Sequence, residues 1–168
     1  MRQARMGHRG FTLIDLMVAM AVLALLAVTV MPSTNPEAGM KLISAATVLA
    51  TDIEYAQSAT LSEPGDHTVV IFDADGGGYY LARGSAPLDP IERPGGSGDL
   101  YVVRFGEGNA RMLDGVGVQE GALVEPIEFD AFGSVVGEGD RTVTLFTSLG
   151  IIEVDVRQST GSVAIEKP

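Results

Sequence analysis

The chain has 168 residues, no cysteine and a formal net charge of −11. This length accommodates one modest domain with an appendage. The absence of cysteine excludes disulfides, thiolate metal sites and a cysteine nucleophile, and two histidines, His8 and His67, are a poor basis for zinc. Because a strongly acidic body repels phosphate backbones, we expect no nucleic-acid partner.

The first 31 residues combine a basic leader with a long apolar segment. Arg2, Arg5 and Arg9 precede the run from Phe11 to Met31, in which Asp15 is the only charged residue. About 21 helical residues span roughly 31 Å, close to the thickness of a bilayer's hydrocarbon core. The basic leader places the N-terminus in the cytoplasm. The alternative is a cleaved secretory signal, whose apolar region is usually about 7–15 residues long and carries no acid.

Asp15 has two interpretations at this stage. Thr12 and Asp15 have a variant of the capping-box spacing, and an acid in the first turn complements the helix dipole by about 0.3–1 kcal/mol. A carboxylate costs up to about 2.5–3.5 kcal/mol at mid-bilayer, and such residues usually have a partner. The residue is therefore either a helix cap or a carboxylate that pairs with a group on another molecule.

A second helix is predicted over residues 37–62, as an amphipathic continuation of the first after a break at Pro32 and Pro36. Lys41, Asp52 and Glu54 lie away from its apolar stripe. We expect it to lie on its own domain's sheet rather than to be an exposed partner-binding helix. The stripe comprises Leu42, Ala45, Ala46, Leu49, Ile53, Ala56 and Thr60.

Residues 63–168 are predicted to form an antiparallel β domain, as one sheet or two packed sheets, so the fold class is α+β. Glycine-rich breaks separate the segments, and residues 84–99, which contain three prolines, are predicted to be the longest mobile loop. The predicted strands are His67–Asp73, Gly78–Arg83, Leu100–Phe105, Leu123–Phe129, Arg141–Thr147, Ile151–Arg157 and Ser162–Glu166.

The part of the chain after the apolar segment, here called the body, has only weak candidates for catalytic or metal-binding sites. Asp73 and Asp75 resemble the start of a calcium loop, but the later ligands of an EF-hand are missing, so a hairpin turn is the better interpretation. His67 is the body's only imidazole, and no serine has a nucleophile-elbow context. We therefore predict no enzyme and no cofactor. The acids that could supply a hydrolase pair are Glu63, Asp66, Glu125 and Glu128.

The sequence Gly10-Phe11-Thr12-Leu13-Ile14-Asp15, between the leader and the apolar run, resembles the class III signal of type IV pilins and type II secretion pseudopilins. The resemblance implies that prepilin peptidase cuts between Gly10 and Phe11, that Phe11 is N-methylated, and that the apolar helix is retained. The family's acid at the fifth mature position is normally Glu, whereas Asp15 stands here. It implies an assembly role for Asp15, as partner of the N-terminal amine of a neighbouring subunit.

The body extends this resemblance. The segments 49–61, 127–135 and 143–165 resemble the GspH/FimT-type minor pseudopilin domain. The domains are then a basic leader (1–10), a transmembrane and assembly helix (11–31), its amphipathic continuation (37–62) and the β pseudopilin domain (63–168). In the related DNA-uptake minor pilins, basic residues near the C-terminus bind DNA, whereas the last ten residues here hold one cation, Lys167.

The sequence thus predicts a minor pseudopilin of a type II secretion pseudopilus. Its partners would be other pseudopilins or pilins, prepilin peptidase and the inner membrane, with the C-terminal domain in the periplasm. One alternative is a minor pilin of a type IV pilus or DNA-uptake machine. The other is an exported β domain with binding or hydrolytic activity, which uses residues 1–31 only for export.

Overall fold

A computed structural model describes residues 12–30, 36–96, 98–119 and 125–166 of the chain. The chain divides into two compact units, Met1–Thr34 and Asn35–Pro168. The predicted cleavage residues Gly10 and Phe11 and the predicted break at Pro32 lie outside the described residues.

The first unit contains helix α1, Leu13–Val30. Its large apolar side chains between Leu13 and Leu23 are 49–76% exposed. In the described part of the chain, no helix combines the length and the hydropathy needed to cross a membrane.

The second unit begins with helix α2, Pro36–Ser62. Proline suits the first position of a helix because the N–H that it lacks has no intrahelical partner there. The predicted stripe is confirmed, since every residue from Leu42 to Thr60 in it is buried. Asp52 was expected away from the stripe, and this expectation is wrong: the residue is only 7% exposed.

Two antiparallel sheets follow α2, which confirms the α+β class and selects the two-sheet alternative. The first has the order β3-β2-β1-β6, with β4 also paired to β2; the second has the order β5-β7-β8-β9. In the described residues, the strands are β1 Thr68–Phe72, β2 Gly78–Arg83, β3 Ala86–Pro90, β4 Val102–Arg104, β5 Gly117–Val118, β6 Ile127–Glu128, β7 Arg141–Thr147, β8 Gly150–Val156 and β9 Val163–Glu166. A 3₁₀-helix, Gly108–Leu113, lies between β4 and β5.

The core lies where α2 contacts strands of both sheets. Residues of β7 and β8 alternate between this core and the outside, and the inward positions are aliphatic. The burial of apolar surface, which contributes about 25 cal/mol per Å², is the main interaction that holds the helix and the sheets together. Fully buried examples are Leu49, Ile53, Val70, Leu81, Leu145 and Val154.

The predicted mobile loop at residues 84–99 is wrong in part, because it contains β3, which pairs with β2. Pro87 and Pro90 are compatible with this strand because it lies at the edge of the sheet, where one side of the backbone needs no partner. Beyond β3, an isolated bridge joins Glu92 to Leu100. Backbone pairing therefore fixes most of the segment that composition alone suggested was irregular.

Candidate functional site

The acid of the N-terminal signal caps its own helix. The backbone N–H and the hydroxyl of Thr12 donate to Asp15 Oδ2 over 3.1 and 2.9 Å, and the Asp15 N–H donates back to Thr12 Oγ1 over 3.3 Å. This reciprocal arrangement is a capping box, and it confirms the capping interpretation. Both donations end on Oδ2. The assembly role of Asp15 stays a prediction.

The weak calcium candidates lie in the β1–β2 turn. The Asp73 N–H donates to Gly78 O and the Gly77 N–H donates to Asp75 Oδ1, as in a tight hairpin. Arg104 of β4 places Nη1 3.6 Å from Asp73 Oδ2 and Nη2 3.0 Å from Asp75 Oδ2. The guanidinium thus supplies the positive charge that a cation would bring. Among the described residues, no group of three histidine or acidic side chains could hold a metal ion.

The four acids considered as hydrolase pairs are not brought together as one. Glu63 lies 2.8 Å from Arg83, Glu128 lies 3.7 Å from His67, and Glu125 forms an ion pair with Arg141. The fourth, Asp66, accepts a hydrogen bond from the Ser85 N–H. Each of the four carboxylates has its own ion-pair or hydrogen-bond partner, so its position is explained without a catalytic role.

Instead, the structure brings together a buried acid and two tyrosines from distant parts of the chain. The Tyr79 hydroxyl on β2 donates to Asp52 Oδ2 over 2.6 Å, and the Tyr101 hydroxyl donates to Asp52 Oδ1 over 2.9 Å. Burial raises the pKa of Asp52 above its ordinary value, and the two tyrosine hydrogen bonds oppose that rise. Burial, together with the charge of Asp52, raises the pKa of both tyrosines. Hydrogen bonds to a charged acceptor in such a site are short and strong.

Arg93 completes this cluster from the segment after β3. Its guanidinium carbon lies 4.5 Å from the centre of the Tyr101 ring, and its Nη2 donates to Val102 O over 3.0 Å. The other face of the cluster is aromatic, because the rings of Tyr55 and Tyr101 stack with centroids 5.3 Å apart. Tyr101 is therefore held by its hydroxyl, by its ring and by a cation over the ring.

A cavity of about 430 Å³ opens beside this cluster. Asp52 and Arg93 contribute its polar groups together with residues of β4 and the 3₁₀-helix, and Val48 and Leu113 are among its apolar residues. The volume is in the range of small-ligand pockets. The described lining has two acids, Asp52 and Glu107, two arginines and several apolar side chains, but no nucleophile next to a base.

Sequence reasoning missed Asp52 because a polar residue in an amphipathic helix is normally placed on the outside. Two signals could have found it. Asp52 directly precedes Ile53 and lies three residues after Leu49, so it borders the stripe. The tyrosines are the second signal, since an inward-facing tyrosine needs a partner for its hydroxyl.

Comparison with known proteins adds two findings. The family described as the prokaryotic N-terminal methylation motif matches residues 5–31. Two crystal structures of the type IV minor pilin FimU from Pseudomonas aeruginosa resemble the chain at 22% identity. They cover 74% of this chain and 87% and 92% of theirs, with TM-scores of 0.50 and 0.49. No curated protein matches the chain. The chain thus combines a prokaryotic N-terminal methylation motif with a fold that is similar to that of the minor pilin FimU.

Proposed function

We propose that this type IV pilin-like chain is a minor pseudopilin, a structural subunit of a type II secretion pseudopilus that takes part in filament or tip assembly. One observation carries the proposal: a methylation motif at residues 5–31 stands in front of a body with a pilin fold. An export signal alone would not require a pilin fold behind it. A pilin fold alone would not require this motif.

Prepilin peptidase would cut between Gly10 and Phe11 and leave Phe11 N-methylated. The uncut chain would sit in the inner membrane with its leader in the cytoplasm and residues 36–168 in the periplasm. The exposed apolar side chains of α1 support this, because they need lipid or neighbouring helices to cover them. The partners are other pilin-type subunits, whose apolar helices bury the apolar side chains of α1 in the filament.

Asp15 is the proposed assembly contact within the filament. Thr12 holds Oδ2, which fixes the carboxylate and points a charged group from the first turn of α1. The new amine of Phe11 in a neighbouring subunit would pair with it. Leaving one member of such a buried pair without its partner costs on the order of 3–5 kcal/mol.

Two variants test this contact. Asp15→Ala should leave membrane insertion and cleavage intact but prevent incorporation into filaments. Asp15→Glu keeps the charge and restores the acid usual in the family, so it should be incorporated. Incorporation is measured by immunoblot of cross-linked filaments. Normal incorporation of Asp15→Ala would contradict the proposed contact.

A type IV pilus is the second candidate machine, because the solved structures that resemble the chain are described as type IV minor pilins. The two machines use the same subunit design. A gene deletion distinguishes them: loss of exported proteins from the medium with surface pili intact supports the pseudopilus. Loss of surface pili with export intact supports the pilus.

An exported β domain with its own ligand is the remaining alternative. It predicts cleavage after the apolar run, or no cleavage, and binding activity in the body. The ion pairs that occupy the body's surface carboxylates favour a structural role over a hydrolytic one. The acidic balance, with 8 basic and 22 acidic residues after residue 10, favours protein partners over nucleic acid.

A further inference from the structure

The most exposed large apolar side chain in the described part of the chain is Phe132, with 90% of its surface in solvent. It stands in the turn Asp130–Ser134, between β6 and β7. Leu61, near the end of α2, lies close to Gly133 of this turn and is 48% exposed. We call the turn and Leu61 together the Phe132 knob. A phenylalanine that gains nothing from its own fold is a candidate for burial in a partner.

The turn is held rigid by its own hydrogen bonds. Asp130 Oδ1 accepts from the N–H groups of Phe132 and Ser134 over 2.8 and 3.0 Å. The backbone closes the turn twice, from Asp130 N to Ser134 O over 2.8 Å and from Gly133 N to Asp130 O over 3.0 Å. Gly133 has a φ of +84°, which a side chain would disfavour.

The rest of the domain anchors the turn. Gln57 of α2 donates through Nε2 to Gly133 O over 2.7 Å and to Thr160 O over 2.8 Å, so one side chain ties the turn to the β8–β9 connection. The Ser134 hydroxyl adds a bond to Ser159 O over 3.2 Å. A contact residue that is already ordered loses little conformational entropy when it binds.

Charge selects the kind of partner. After removal of the leader, the chain has 8 basic and 22 acidic residues, a net charge of −14. The turn itself contains an acid, Asp130. A second, Asp140, accepts through Oδ1 from Gln158 N, and Gln158 O accepts from Val135 N, next to the turn. Two copies of this surface repel each other, whereas a surface with lysine or arginine is attracted.

We propose that the Phe132 knob is a docking anchor that inserts into an apolar pocket with a basic rim on a different pilin-type subunit. The proposal deepens the proposed function, on which it rests. Buried aromatic anchors dominate the energetics of protein interfaces, and their truncation weakens binding far more than that of peripheral residues. The anchor would set which subunit lies beside this one.

The test places the photo-cross-linker p-benzoylphenylalanine at position 132 of the full chain, in cells with an active prepilin peptidase. The same residue at position 88 is the matched control, because Leu88 on β3 is 84% exposed. We expect a product at position 132, absent at 88, whose second chain carries an N-methylated N-terminal residue. A product that is a dimer of this chain, a partner without the methyl group, or equal labelling at 88 overturns the proposal.

A substitution provides the second measurement. Phe132→Ala should reduce recovery of that subunit from detergent extracts about tenfold or more, while Leu88→Ala leaves it unchanged. The variant's melting temperature should equal that of the wild type, because the side chain is solvent-exposed. Unchanged recovery contradicts the docking role. The N-terminal peptide from the same sample separates the two ideas: methylated Phe11 without the cross-link refutes the docking anchor alone, and unprocessed chain refutes both.

Discussion

Replacing Tyr79 by phenylalanine removes one hydroxyl from the buried Asp52 cluster and little else. The hydroxyl lies 2.6 Å from Asp52 Oδ2, and the tyrosine has no exposed surface. A hydrogen bond to a charged group contributes about 1.5–3 kcal/mol, and the remaining carboxylate oxygen stays buried, so we expect a loss of about 2–3 kcal/mol in the free energy of unfolding. For a unit of this size, each kcal/mol lowers the melting temperature by about 3–5 °C.

Tyr80→Phe is the matched control. Tyr80 is the next residue of β2, and its hydroxyl donates over 3.2 Å to Pro87 O at an exposed position. Its loss should cost less than about 0.5 kcal/mol, as is usual for surface substitutions. Urea unfolding of the full chain in detergent, followed by circular dichroism, compares the two. Equal destabilisation by both variants would refute the view that the hydroxyl of Tyr79 stabilises a buried charge.

Three further outcomes follow from the described contacts. Burial raises the pKa of Asp52, so its contribution to stability is complete below its ordinary pKa of 3.8 and is lost as pH rises through the pKa of the folded state. Asp52→Asn should remove this part of the pH dependence of stability. Parallel pH profiles of wild type and variant would contradict this expectation. Gln57→Glu puts a carboxylate oxygen against two carbonyl oxygens, so the melting temperature should fall while that of Glu54→Gln, an exposed position on α2, does not. Since Arg104 already pairs with the acids of the β1–β2 turn, millimolar calcium should leave the melting temperature unchanged; a calcium-dependent rise would restore the metal interpretation.

Local periodicity predicted the elements whose pattern is set by their own residues. The stripe from Leu42 to Thr60 follows the helical period, and β7 follows the alternation of a strand. The predicted bounds of β2 and β7 agree with the structure. β3 was missed because Pro87 and Pro90 count against a strand unless its edge position is known. Edge position is a property of the sheet and not of the segment.

The Asp52 cluster shows the same limit at the site. Tyr79 and Tyr101 lie 27 and 49 residues further along the chain, so their hydroxyls reach Asp52 only after β2 and β4 pair. The capping role of Asp15 was predictable, because Thr12 is three residues away. Contacts within one turn can be read from sequence, whereas contacts between distant strands require the topology.

The central claim is that the chain enters a pilin-type assembly route, and N-terminal peptide mass spectrometry tests it most directly. The full chain is expressed with and without active prepilin peptidase, and the first peptide is identified in each case. We predict a mature chain that begins at N-methylated Phe11 only when the peptidase is active. A chain that begins beyond Met31, or an uncut Met1 in both strains, would contradict the account and favour an exported β domain.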